Sequence, residues 1–244
     1  MIAAVLAIVV APFVGSFLAV VALRWPQGRG VVAGRSACDS CGHTLGAIEL
    51  IPLASFAALR GRCRHCGAPI DPLHVAMEAG ALIAAIWAAS VTTGWVLAAG
   101  CMLGGILLTA SAIDWRTGFL PDVLTLPLIA IGLAAAWLFD MQGIWDHVIG
   151  AAVGFIGFAG LAALYRRLRG RDGLGLGDAK LLAASGAWLG WVALPSVILF
   201  AALFGLAFVL LRRKPLDGAS RIAFGPALAL ATWIVWLYGP LVPA

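Results

Sequence analysis

Eight apolar stretches, at about 2–23, 73–92, 95–113, 120–139, 144–165, 178–193, 195–211 and 222–240, set what this chain can become. Runs of about 17–25 apolar residues are long enough to cross a bilayer as helices. Inside hydrocarbon every backbone N–H and C=O needs a partner, and a helix supplies those partners locally. Only 11% of the residues are charged, where a soluble domain of this length carries about 25%. The expected fold is therefore an all-α polytopic membrane protein with about eight transmembrane helices. The first stretch lacks a basic segment before it and a small-residue cleavage site after it, so it reads as a retained span. Trp25, Trp95, Trp115, Trp145 and Trp191 lie near the ends of the stretches, where amphipathic rings meet the interface. Between the sixth and seventh stretches, Gly190 to Pro195 leaves room only for a tight turn.

The cations set the orientation. All sixteen Lys and Arg fall in or beside alternate connections, from Arg24 to Arg64, at Arg116, from Arg166 to Lys180, and from Arg212 to Arg221. The intervening connections at 93–94, 140–143 and 194 hold none. Positive charge marks the cytoplasmic side, so both termini are expected outside and the large 24–72 connection inside. With the charge placed in this way, a net +5 implies no nucleic-acid partner.

That connection carries Cys38-Asp-Ser-Cys41 and, after 21 intervening residues, Cys63-Arg-His-Cys66. Paired C-x-x-C knuckles at this separation suit a tetrahedral zinc held by Cys38, Cys41, Cys63 and Cys66. Gly42 and Gly67 follow the pairs, where a knuckle needs a residue without Cβ. A reducing cytoplasm disfavours disulfides, and a loop this small draws folding energy from the metal. The site is expected to be structural, with redox thiols and iron–sulfur ligation as the competing uses. His43, His65 and His74 border the loop and read as ordinary polar residues, and Cys101 as a small buried one. Between the knuckles, Glu49 to Leu59 is too apolar for a solvated loop and too short to span, so it is expected in the headgroup region or docked on the bundle.

Of eleven acids, Asp39, Glu49, Asp71, Asp140, Asp146, Asp172 and Asp217 lie where solvent or a neighbouring cation accounts for them. Glu78 falls in the first two turns of a span, where a carboxylate needs a reason. Asp122 follows Pro121 in a first helical turn, with proline expected at N1 and the acid complementing the helix dipole. Asp114 closes the third span and Asp178 opens the sixth, at the same expected membrane face although 64 residues apart. Two carboxylates brought close cannot both ionise readily, so the pair holds one proton. Such a pair divides the work of hydrolysis: the charged member takes a proton from water and the protonated one polarises a carbonyl. The residues alone leave two other uses open, an ion or proton path and helix capping. No G-x-S-x-G, H-E-x-x-H or P-loop competes, and the glycines of 173–177 do not follow a strand as a dinucleotide loop requires.

With these motifs in order, the chain resembles the type IV prepilin peptidases, membrane aspartyl proteases of the GxGD class. The resemblance rests on Gly15-Ser-Phe-Leu18, the two C-x-x-C pairs with Leu50-Ile-Pro-Leu-Ala-Ser55 between them, and Asp114-Trp-Arg-Thr117. It continues through Leu120-Pro-Asp-Val-Leu-Thr-Leu126, Gly175-Leu-Gly-Asp178-Ala-Lys180 and Phe224-Gly-Pro226. It implies an inner-membrane endopeptidase that removes the basic leader of type IV prepilin or pseudopilin precursors at the cytoplasmic face. It also implies Asp114 and Asp178 as the catalytic pair, with Gly175, Gly177 and Lys180 shaping their surroundings and Asp122 and Glu78 in support. It further implies methylation of the new N-terminus using S-adenosylmethionine, an activity of many members that is associated with the zinc-bearing loop. The family opening usually continues with Asn where this chain has Ala19, a departure that bears on methyl transfer rather than proteolysis. The expected organisation is a first transmembrane helix (1–23), a cytoplasmic zinc-knuckle domain (24–72) and a seven-helix membrane catalytic domain (73–244). A proton- or cation-coupled transporter using the same acids is the alternative, and a non-catalytic assembly factor with a partner-binding zinc loop is a third reading.

Overall fold

The computed structural model describes residues 1–31, 35–170, 175–211 and 223–241. Asp172 and Asp217, with Arg171, Arg212, Arg213, Lys214 and Arg221, lie outside the described residues. Contacts group the chain into two units, Met1–Thr109 and Ala110–Ala244.

The first unit begins with α1 (Ile2–Arg24). A short α2 (Ala54–Ala58) lies between the cysteine pairs. Next comes α3 (Pro72–Val91), whose start obeys local rules. The Asp71 carboxylate accepts the Leu73 N–H at 2.8 Å, and Pro72 takes the first helical position, where its missing N–H costs nothing. Helices α1 and α3 meet on a stripe of small residues. A Cβ on Gly15 would lie 2.6 Å from the Met77 carbonyl oxygen and 2.8 Å from Glu78 Cα, so only glycine permits this approach. Ala19 and Ala22 bury the same side of α1, as helix pairs in membranes do. Most of the remaining α1 surface, including Val9, Phe13 and Phe17, is exposed and apolar, as a lipid-facing helix requires.

Helix α4 (Gly94–Thr117) runs from the first unit into the second. The second unit continues with α5 (Asp122–Phe139), α6 (Ile144–Arg169), α7 (Leu176–Leu189), α8 (Leu194–Leu211) and α9 (Gly225–Tyr238). Its core is α7, whose run from Leu181 to Trp188 is buried throughout. Small residues let neighbours close on it from several sides. A Cβ on Gly186 would sit 2.2 Å from the Gly150 carbonyl, and one on Gly154 2.7 Å from the Leu182 oxygen. The Trp188 ring occupies the space a Cβ would need on Gly132, and its Nε1–H donates to the Leu128 carbonyl at 2.9 Å. Ser185 and Thr232 hydroxyls join α7 to α9 at 2.6 Å. One of the two donates across this contact and the other can donate to the carbonyl four residues earlier in its own helix, so neither hydroxyl is orphaned.

Among the described residues, eight helices of fourteen or more residues match the eight expected spans in order. Six are long and apolar enough to cross a membrane. The other two, α7 and α9, have 14 residues each, or about 21 Å at 1.5 Å per residue, against a hydrocarbon core of about 30 Å. The expected sixth span is cut short because Gly190, at φ +78°, ends α7 and hands the chain to α8 through a single short turn. Being short, α7 is packed inside protein rather than exposed to lipid over its length.

Candidate functional site: two carboxylates and four thiols

In the second unit, Asp114 lies in the last turn of α4 and is only 6% exposed. Its Oδ2 accepts the Gly225 N–H at 3.0 Å. Gly225 opens α9, so the carboxylate satisfies one of the N–H groups every helix start leaves unpaired, at the positive end of the helix dipole. Asp178 is the third residue of α7, and its Oδ2 reaches back to the Gly175 N–H at 3.3 Å. Each acid is thus held through one oxygen by backbone at a helix start. Among the described residues neither Oδ1 has a hydrogen-bond partner.

One side chain joins the two acids. Leu120 is buried in the turn between α4 and α5. A Cβ on Gly177 would lie 2.7 Å from Leu120 Cβ, and one on Gly225 would lie 3.2 Å from Leu120 Cδ1 and 2.6 Å from Asp114 Oδ2. The α7 start carrying Asp178 and the α9 start holding Asp114 therefore close on the same leucine.

The surrounding residues divide into those that touch this arrangement and those that do not. Gly177 is a close approach, whereas a Cβ on Gly175 would meet nothing nearer than Asp178 Oδ2 at 3.4 Å, an ordinary contact. Gly177→Ala is therefore expected to cut activity at the pair by about tenfold or more, and Gly175→Ala to leave it within about threefold, both read as turnover per folded protein. Lys180 is not aimed at either acid; its Nζ pairs with Asp122 Oδ1 at 2.5 Å and ties the start of α5 to α7. Pro121 occupies the N-cap rather than the expected N1, and Asp122 is the first helical residue. Gly225 was not singled out from the sequence. Its signal was the Phe224-Gly-Pro226 motif, in which glycine precedes a proline that fixes the second helical position.

The first unit holds the thiols. The Sγ atoms of Cys38, Cys41, Cys63 and Cys66 all lie within 4.8 Å of one another, and Cys38 and Cys66 approach to 3.9 Å. Tetrahedral zinc with Zn–S bonds of about 2.3 Å needs sulfurs about 3.8 Å apart, so the donor set fits that ion. The two knuckles repeat one design. Cys38 N–H donates to the His43 carbonyl and Cys63 N–H to the Ala68 carbonyl, at 2.9 and 2.8 Å. Gly42 and Gly67 both stand at φ +71°, where a side chain would be strained. Backbone N–H groups of Cys41 and Ser40 bring the Cys38 thiol down to about 7. The His43 backbone N–H favours the Cys41 thiolate, but partial desolvation and the other three thiols together outweigh it and push that thiol up to about 11. Four thiolates this close need a cation between them. His43 and His65 stack at 4.7 Å and 11°, and the clustered ligand atoms are sulfur alone.

Glu78 is 7% exposed, and its Oε2 accepts the Leu53 N–H at 2.8 Å. The apolar segment between the knuckles is thus docked on α3. The strained backbone at Leu53, φ +62°, carried no signal that sequence reasoning could have used.

Comparison with known proteins places these units. A family model described as the bacterial peptidase A24 N-terminal domain matches residues 9–92, and one described as the type IV leader peptidase family matches residues 101–210. The chain is 46% identical over 199 residues to a protein of Burkholderia pseudomallei (strain 1026b) named prepilin leader peptidase/N-methyltransferase, covering 80% of the chain and 64% of that protein. Proteins of the same name from Aeromonas salmonicida (strain A449) and Pseudomonas aeruginosa are 42% and 39% identical, covering 84% and 86% of the chain and 72% and 73% of those proteins. The chain therefore spans somewhat less than two thirds of the Burkholderia relative's length. No solved structure matches it, and nothing in these comparisons favours the transporter reading. From the N-terminal thiol unit through the paired-acid unit, this chain belongs to the type IV leader peptidase family.

Proposed function

We propose that the chain is a membrane aspartyl endopeptidase that removes the basic leader of type IV prepilin or pseudopilin precursors, and that it methylates the amine so released. The observation that carries the first half is the closure of two helix starts on Leu120, with Asp114 and Asp178 each held by one oxygen. The ionised member takes a proton from water as the water oxygen bonds to the scissile carbonyl carbon. The protonated member hydrogen-bonds the carbonyl oxygen, and a proton passes to the leaving nitrogen as the C–N bond breaks. Asp114 stands at the C-terminal end of α4 and Asp178 at the N-terminal end of α7, which supports chemistry at a bilayer edge rather than mid-membrane. The cation pattern supports a cytoplasmic position for that edge. A precursor's apolar helix can lie in the bilayer beside the protein, but its cleaved segment must unwind first, because helical amides are already internally bonded.

The relatives' shared name supports the second half. S-adenosylmethionine supplies the methyl group. The unit bearing the four thiols is the natural place for this activity, since it matches a separate family model and contains neither Asp114 nor Asp178. Its zinc would be structural: with four thiolates bound, no coordination position is left for substrate. In the direct test, the full-length protein in detergent is given a leader-bearing precursor peptide and labelled S-adenosylmethionine, and the products are resolved by mass spectrometry. The expected products are the free leader and a mature peptide carrying one methyl on its N-terminal nitrogen. An intact peptide after prolonged incubation would sink the proteolytic reading, and a mature peptide without label the methyl-transfer half.

A further inference from the structure

Glu78 is the one buried acid of the first unit, and neither the carboxylate pair nor the thiol cluster uses it. Its single described partner is the Leu53 N–H. Leu53 stands at φ +62°, ψ −49°, and the next N–H, that of Ala54, bonds back to the Pro52 carbonyl at 2.6 Å. That is a γ-turn of the positive-φ kind, rare for any L residue and strained for leucine. Such a turn persists only where its surroundings hold it. The holding group is well placed. Gly15 brings the α1 backbone against Met77 and Glu78 Cα, which fixes the helix from which the carboxylate projects. The strap it grips runs through the short helical turn Ala47–Leu50 and α2. Its near end is tied by the Gly46 N–H to Glu49 Oε2 at 2.8 Å. Its far end is tied by the Gly61 N–H to the Phe56 carbonyl at 2.9 Å.

We infer that Glu78 is a positioning residue, a latch that clamps the strained Leu53 turn and so fixes the strap between the knuckles onto α3 in the form that methyl transfer requires. The link to methyl transfer rests on the function proposed above; the latch itself does not. A carboxylate that touched substrate would lose its purpose on conversion to an amide, whereas a latch would not, because the Gln carbonyl still accepts an N–H. Glycine adopts φ near +60° without strain, so at position 53 it needs the clamp less.

The test compares Glu78→Ala, Glu78→Gln and the double variant Glu78→Ala/Leu53→Gly in the full-length protein, by hydrogen exchange and by the product assay. Breaking a hydrogen bond to a charged group opens a local structure by about tenfold or more. Exchange across residues 51–58 is therefore expected to rise about tenfold in Glu78→Ala, and to stay within about threefold of the parent in Glu78→Gln and in the double variant. Methyl transfer, normalised to leader removal in the same preparation, follows the same order. Unchanged exchange in Glu78→Ala overturns the latch. So does loss of methyl transfer in Glu78→Gln with exchange intact, which would make the carboxylate a group acting on substrate. If the parent protein itself transfers no methyl, the functional reading fails separately, and the exchange comparison still decides the latch.

Discussion

Asp114→Asn and Asp178→Asn are each expected to reduce leader removal by about 10³-fold or more, the scale of losing a positioned proton donor or acceptor in hydrolysis. The physical basis is that, in the proposed mechanism, the two carboxyls work as one unit with one proton. An amide can neither accept the proton from water nor pass one to the leaving nitrogen. The double variant is therefore expected to be scarcely worse than either single one, as for groups that act together. The fold survives, because Asn keeps an oxygen that can accept the Gly225 or Gly175 N–H now bonded at 3.0 and 3.3 Å. Cleavage of a precursor peptide, alongside elution of the detergent-solubilised protein as an unaggregated species, measures both. Near-normal cleavage by either single variant would remove the carboxylate pair from the mechanism.

Cys38→Ser or Cys63→Ser is expected to abolish zinc binding at the thiol site and unfold the chain around it, the second large effect. Structural zinc contributes on the order of 10 kcal/mol to the folding of small metal-bound modules. The loop has almost no apolar core of its own: Cys63 is the only buried hydrophobic residue among the described positions from 35 to 70. The purified parent is expected to carry about one zinc per chain and each variant almost none, by elemental analysis. Protease sites between Arg35 and Ile70 should become open to cutting, and methyl transfer should drop by more than about tenfold. A serine variant that kept its metal and its resistance to protease would show that the four sulfurs, despite lying within 4.8 Å of one another, are not its ligands.

The parts legible in advance were those governed by local chemistry. Eight apolar runs became eight helices in the expected order because a membrane demands self-satisfied backbone. The C-x-x-C spacing anticipated four converging sulfurs, and the glycines after each pair stand at the positive φ that knuckles require. Helix length was less legible. Apolar composition runs on past Gly190 with only the tight turn expected between Gly190 and Pro195 to interrupt it, so the sequence did not show that α7 is a 14-residue helix buried on most sides.

By itself the sequence determined the membrane class, the order of the helices, the four-cysteine pattern and which acids needed an explanation, since each follows from a residue and its near neighbours. Tertiary structure alone decided which partners those acids took. Asp114 is held by Gly225, 111 residues away; Lys180 chose Asp122 at a distance of 58 residues; and Glu78 grips a leucine 25 residues earlier. Such pairings depend on which helix faces meet, and that is set by small residues such as Gly15, Gly150, Gly177 and Gly186 allowing backbones to touch. A glycine looks the same in the sequence whether it faces lipid or another helix, and only the packed chain distinguishes the two.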